Sequence, residues 1–202
     1  MIEKTKNYIL NFIGILFIIL GIGAIINTLY QKELGLAPIL WICYISIILI
    51  GIGALTKNYL LLLSQLNILA IPLIFWNLDF FYVLFTKNSL FGITDYFFIP
   101  GPLIGKLITA QHFITIPLTI YCLYLIKIKK NFAWAISFFQ IAVVFFITRA
   151  ISPPEKNINC VFTSCIDFNF NIPYYPIIWF FIFFIIIFVT NFFLARISFL
   201  NK

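Results

Sequence analysis

The sequence predicts an all-α, polytopic membrane bundle of about six transmembrane helices, with residues 1–202 forming one integral membrane domain. Three observations predict it. The chain is 63% hydrophobic and 9% charged, where a soluble domain is roughly 25% charged. Its 26 Phe and 10 Tyr are more apolar surface than a soluble fold of this size could hide. Six stretches each approach the ~20 apolar residues needed to cross the hydrocarbon core.

The spans fall near 8–30, 38–56, 59–85, 107–126, 131–151 and 174–195. In the first, Tyr8–Leu20 continues through Gly21-Ile22-Gly23 without a small-residue cleavage site, so it reads as a retained helix and not a signal peptide. The second repeats the GIGA of 21–24 at 51–54. These helices run oppositely, so the copies fall at different depths and read as small residues that permit close packing. The third is overlong. Pro72 inside it, with Asn77 and Asp79 near its end, predicts a kink or an early finish near Trp76. The fourth holds the only histidine, His112, and Pro117, which frees the carbonyl of Phe113. The fifth carries Arg149 near its outer end, and the sixth opens at Tyr174.

Orientation follows from Lys and Arg. Lys127, Lys129 and Lys130 crowd one short loop, which is therefore cytoplasmic. Alternation puts Lys4, Lys6, Lys57, Arg196 and Lys202 on the same side, so both termini are cytoplasmic. Lys32, Lys87, Lys106, Arg149 and Lys156 fall outside, near Glu33, Asp95, Glu155 and Asp167. The formal charge of +7 is spread singly over helix ends, so anionic headgroups and not nucleic acid are its expected counter-charge. Membrane lipids are the expected partners, and the cell membrane the expected location.

Two outer segments interrupt the bundle. Residues 86–106 are too aromatic for a plain solvated loop, and Phe97-Phe98-Ile99 before Pro100-Gly101-Pro102 suggests an interfacial or partly re-entrant segment. Residues 152–173 form the longest polar stretch and carry Cys160 and Cys165. An oxidising outer compartment permits a disulfide there, with free thiols as the alternative. Cys43 and Cys122 read as packing residues inside spans. One histidine and no dense carboxylate cluster argue against a metal site, and no cofactor is expected.

Ionisable groups inside hydrocarbon cost roughly 2.5–3.5 kcal/mol on the mildest scale, so each requires a reason. Thr109, His112, Thr115, Thr119 and Cys122, spaced 3, 3, 4 and 3, make one polar stripe on the fourth span, which should face the bundle. At 1.5 Å per residue, Asp79 lies roughly 30 Å along the third span, near the outer boundary. Arg149 lies near the outer end of the fifth span, at the same boundary. Asp79, His112 and Arg149 should therefore share an outer layer with Asn77, Gln111 and Thr148. In that layer a carboxylate could fix the imidazole, an arginine could hold an anionic group, and Gln111, Thr115 and Asn77 could bind substrate. The alternative is mutual neutralisation of Asp79 and Arg149, with His112 filling a polar gap. A deeper group (Ser64, Gln65, Asn67, Thr119, Cys122 and Gln140) reads as interhelical hydrogen bonding.

Three patches carry a family resemblance: Ser64-Gln65-Leu66-Asn67, His112-Phe113-Ile114-Thr115-Ile116-Pro117, and Pro173-Tyr174-Tyr175-Pro176. Together they resemble the androgen-induced and androgen-dependent TFPI-regulating protein family and its six-span acyltransferase relatives. The resemblance implies an intramembrane lipid-ester hydrolase or acyltransferase, with His112 as base and Ser64 at the nucleophile position. Ser stands where that family has Thr. Depth separates Ser64 from His112 by well over ~10 Å, beyond the reach of proton transfer, which ranks Ser64 below the outer layer.

Three function classes follow. An enzyme would act on a lipid or lipid-linked substrate near the outer leaflet, and it would lose turnover without His112. A small-molecule carrier would line a path with the fourth-span stripe, Gln140 and Asn67, but no inverted repeat or pair of broken helices at mid-depth supports it. A non-catalytic assembly or scaffold protein would tolerate loss of His112.

Overall fold

The computed structural model describes residues 3–31, 35–129, 132–166 and 172–201. Lys32, Glu33, Lys130, Asp167 and Lys202, which entered the charge-based orientation, lie outside the described residues. The described chain forms helices α1 (Glu3–Tyr30), α2 (Ile42–Leu55), α3 (Tyr59–Thr86), α4 (Asp95–Phe98), α5 (Leu103–Thr109), α6 (Gln111–Ile126), α7 (Ala133–Ile151) and α8 (Tyr175–Leu194). Among the described residues the one β-type contact is a parallel bridge between Ile128 and Asn201.

Five segments are long and apolar enough to cross a membrane: α1, α3, α5 with α6, α7 and α8. Helix α2 has 14 residues, about 21 Å of rise, and does not by itself match a ~30 Å core. A 3-10 turn at Ala37–Leu40 precedes it. The bundle presents Phe139, Phe146, Phe181, Ile185 and Phe193 outward, as a lipid-facing perimeter requires.

Helix α3 is central and packs against α2, α6, α7 and α8. Leu62, Leu63, Leu66 and Ile68 on it are fully buried. The span expected near 59–85 is α3, which runs to Thr86 with Pro72 inside it, and the early finish near Trp76, the alternative to a kink, is not seen. The polar residues that suggested an end are satisfied by neighbours: Asn77 donates to Leu73 O, and Asp79 accepts from a folded-back loop.

Helices α1 and α2 approach so closely that glycine is required. A Cβ on Gly51 would sit 2.7 Å from the Gly14 carbonyl oxygen, and one on Gly21 would sit 2.3 Å from Ile48 Cγ1. Lipid tails supply no hydrophobic drive between helices, so this contact stabilises by van der Waals packing. The following turn is tight. Asn58 N–H closes on Gly53 O at 2.8 Å, Lys57 adopts a left-handed φ of 53°, and Asn58 Oδ1 accepts from Leu61 N at 3.1 Å to cap α3.

The segment 87–102 folds back onto the outer end of α3, and Pro100-Gly101-Pro102 leads into α5. Outer residues 152–166 are organised by two left-handed asparagines. Asn157 Oδ1 accepts from Phe162 N and Thr163 N. Asn159 Oδ1 accepts from Ile42 N at 2.8 Å, and its Nδ2 donates to Leu40 O at 2.8 Å, joining this loop to the start of α2. Cys160 and Cys165 are disulfide-bonded, with Cα atoms 5.5 Å apart.

Candidate functional site around His112

The α5–α6 junction makes this site. Phe113 N–H bonds to Ala110 O at 3.1 Å, so the helical ladder breaks and the Thr109 carbonyl lacks its usual partner. His112 Nδ1 takes that place, 2.7 Å from Thr109 O. A carbonyl oxygen only accepts, so Nδ1 carries the hydrogen and, in the neutral ring, Nε2 carries the lone pair. Nε2 has no hydrogen-bond partner among the described residues.

Aromatic groups hold the ring. Trp76 of α3 stacks on His112 with centroids 4.7 Å apart. Trp76 Nε1 donates to the Tyr96 hydroxyl at 3.1 Å. Phe80, Phe97 and Phe113 close the cluster, with centroids 4.8 to 5.0 Å from Phe80. His112 keeps 9% exposure. The imidazole thus sits in a mostly apolar cradle, its tautomer set by one backbone carbonyl and its second nitrogen open.

The polar residues expected beside it are placed in three ways. Asn77 joins α3 to the site backbone, donating to Leu73 O at 2.6 Å and to His112 O at 3.4 Å. Gln111 Oε1 accepts from the Thr115 hydroxyl at 2.6 Å, while Gln111 Nε2 is buried without a partner among the described residues. Thr115, Thr119 and Cys122 are fully buried, so the stripe faces the bundle.

Asp79 and Arg149 are bonded elsewhere. Asp79 is 0% exposed, and its carboxylate accepts four hydrogen bonds: from Leu90 N at 3.0 Å, Phe91 N at 2.7 Å, Thr94 N at 2.8 Å and Thr94 Oγ1 at 2.7 Å. Four uncharged donors fill its usual acceptor sites, so it anchors the loop. Arg149 donates to Val161 O at 2.7 Å, and its guanidinium lies 4.8 Å from the centroid of Phe162. The structure therefore does not assemble the Asp79–His112–Arg149 layer into one hydrogen-bonded group.

Ser64 lies in a different layer. Its hydroxyl donates to Leu61 O at 2.9 Å and accepts from Gln65 Nε2 at 3.0 Å. Trp76, which stacks on His112, is about 18 Å further along α3. Around Ser64, Gln65 and Gln140 exchange bonds of 2.8 and 3.0 Å, and Asn67 donates to Ser137 and Asn191.

Sequence reasoning did not single out Trp76 or Tyr96 as site residues. The signal available was the aromatic excess of 86–106, which contains Tyr96. Among the described residues no three His, Cys, Asp or Glu side chains group as metal ligands. No protein-family model, curated protein or solved structure matches the chain.

Proposed function

We propose that the chain is a six-span cell-membrane protein with cytoplasmic termini that acts on a lipid or lipid-linked ester near the outer leaflet, with His112 as proton acceptor. The observation that carries this reading is the imidazole itself. Its Nδ1–H is committed to Thr109 O, and its Nε2 is left unbonded within an aromatic cradle suited to acyl chains. Support for a sixth span comes from length. The 3-10 turn at Ala37–Leu40 adds about 8 Å to the ~21 Å of α2, which together approach the hydrocarbon thickness.

In this reading Nε2 takes a proton from the attacking group and returns it to the leaving alkoxide. The attacking group is a water. Ser64 is too far along α3 to serve. Gln111 Nε2, buried and unpartnered, is a donor available to a carbonyl oxygen. A carrier reading is less supported, because the mid-membrane amides that would line a path are bonded to one another.

The test is turnover of a panel of fluorescent acyl lipids by protein in nanodiscs. His112→Ala should lower it about 100-fold or more while the variant still inserts and elutes as wild type. Undiminished turnover in that variant would remove His112 from the mechanism.

A further inference from the structure

At the opposite end of the bundle from His112, three lysines from separate parts of the chain meet at one cleft of about 460 Å³. Lys6 comes from the first turns of α1, Lys57 from the α2–α3 turn and Lys129 from the segment after α6, with Thr56, Asn58 and Tyr59 between them. The cleft lies about 26 Å along α3 from Trp76, at the end that the Lys and Arg distribution assigns to the cytoplasm.

We propose that this cleft binds the phosphate of an anionic lipid headgroup in the inner leaflet. Chain geometry holds each cation in place. Lys57 occupies the left-handed position of the turn that closes α2, where glycine is the usual residue, so a lysine sits there against the backbone preference. Lys129 follows Ile128, whose N–H bonds to Leu200 O at 2.8 Å, and Lys127 beside it donates to Phe199 O, so the C-terminal segment fixes this strand. Lys127 is thereby occupied, whereas Lys6, Lys57 and Lys129 line the cleft with no acidic residue among its described lining. The N-terminal end of the 28-residue α3 adds positive potential on the same side. Like charges gathered without a protein counter-ion repel, and a phosphate bearing a full negative charge at the headgroup level removes that repulsion. A lipid source is favoured over free phosphate because Tyr59 and Ile126 give the cleft an apolar wall continuous with the bundle.

The experiment is a thermal-shift titration of the full chain in detergent with phosphatidylglycerol, phosphatidylcholine or inorganic phosphate. Phosphatidylglycerol should stabilise saturably. Phosphatidylcholine should not, and inorganic phosphate at equal concentration should neither stabilise nor compete. Lys57→Gly, which suits the left-handed backbone and so folds, should weaken phosphatidylglycerol binding about five-fold, and the Lys57→Gly/Lys129→Gln pair about 25-fold. Lys87→Gln, on the other face, should bind as wild type. Unchanged binding in Lys57→Gly would overturn the site. Equal loss in Lys87→Gln would reduce it to unspecific charge, and full stabilisation by inorganic phosphate alone would overturn the lipid assignment.

Discussion

Toward the start of α3, Gln65 and Gln140 bond reciprocally, and Asn67 bonds Ser137 and Asn191, so polar side chains of α3, α7 and α8 are matched helix to helix. Toward the end of α3 and of α7, Asp79 and Arg149 bond to loop backbone instead. The first arrangement sets how spans pack and leaves little for a ligand. The second fastens two loops over the end of the bundle. His112 belongs to neither pattern, since one of its nitrogens is satisfied within its own helix junction and the other is not bonded. That contrast, more than the presence of a histidine, makes it the candidate for chemistry.

The largest expected effect breaks the loop-bonded pattern at Asp79. Asp79→Ala strands three backbone N–H groups and the Thr94 hydroxyl at once, and each unmet buried donor costs ~1–3 kcal/mol. A loss on the order of 3 kcal/mol or more should appear in reversible detergent unfolding. Proteolysis should begin within 87–98 in the variant. If Asp79 instead served His112, stability would hardly change while turnover fell.

How much of this was legible in the sequence depends on what sets each feature. The long spans are read directly, because apolar runs bounded by Lys and Arg have no soluble alternative. The bounds of α3 are read as well, 59–85 against Tyr59–Thr86, but the way Asn77 and Asp79 are satisfied inside it is not, because it depends on loop donors beyond residue 87. Depth along each helix groups Asp79, His112 and Arg149 in one expected layer. Depth does not fix facing, and the carboxylate turns to Leu90–Thr94 while the guanidinium turns to Val161. The His112 cradle was hidden for another reason: with 26 Phe in the chain, an aromatic side chain such as Trp76 carries no local signal. Asn159 was likewise unreadable, since its two bonds to Leu40 and Ile42 span more than a hundred residues of sequence.

A smaller effect sharpens the helix-to-helix half of the comparison. Gln65→Leu should cost about 1 kcal/mol by leaving the Gln140 amide without its partner, and Gln140→Leu should do the same. The double variant should recover most of that loss, because both polar groups are then gone and leucine packs well between helices. A double-mutant cycle measured by unfolding reads the coupling directly. Additive losses would mean that the two amides stabilise through other groups.

The smallest effect concerns Arg149, and it separates charge from geometry. Its guanidinium donates to Val161 O while lying 4.8 and 5.6 Å from the ring centroids of Phe162 and Phe145. Lysine keeps the charge but offers a compact ammonium that cannot lie flat against a ring and bond a carbonyl at the same time. Arg149→Lys should therefore cost about 0.5 kcal/mol, felt locally as faster hydrogen exchange over 157–165. Turnover at His112 should be unchanged, because Arg149 bonds only the outer loop. Were Arg149→Lys to raise the KM for anionic lipids and leave loop exchange alone, the arginine would be a substrate contact, and the division between fastening residues and the open imidazole would have to be redrawn.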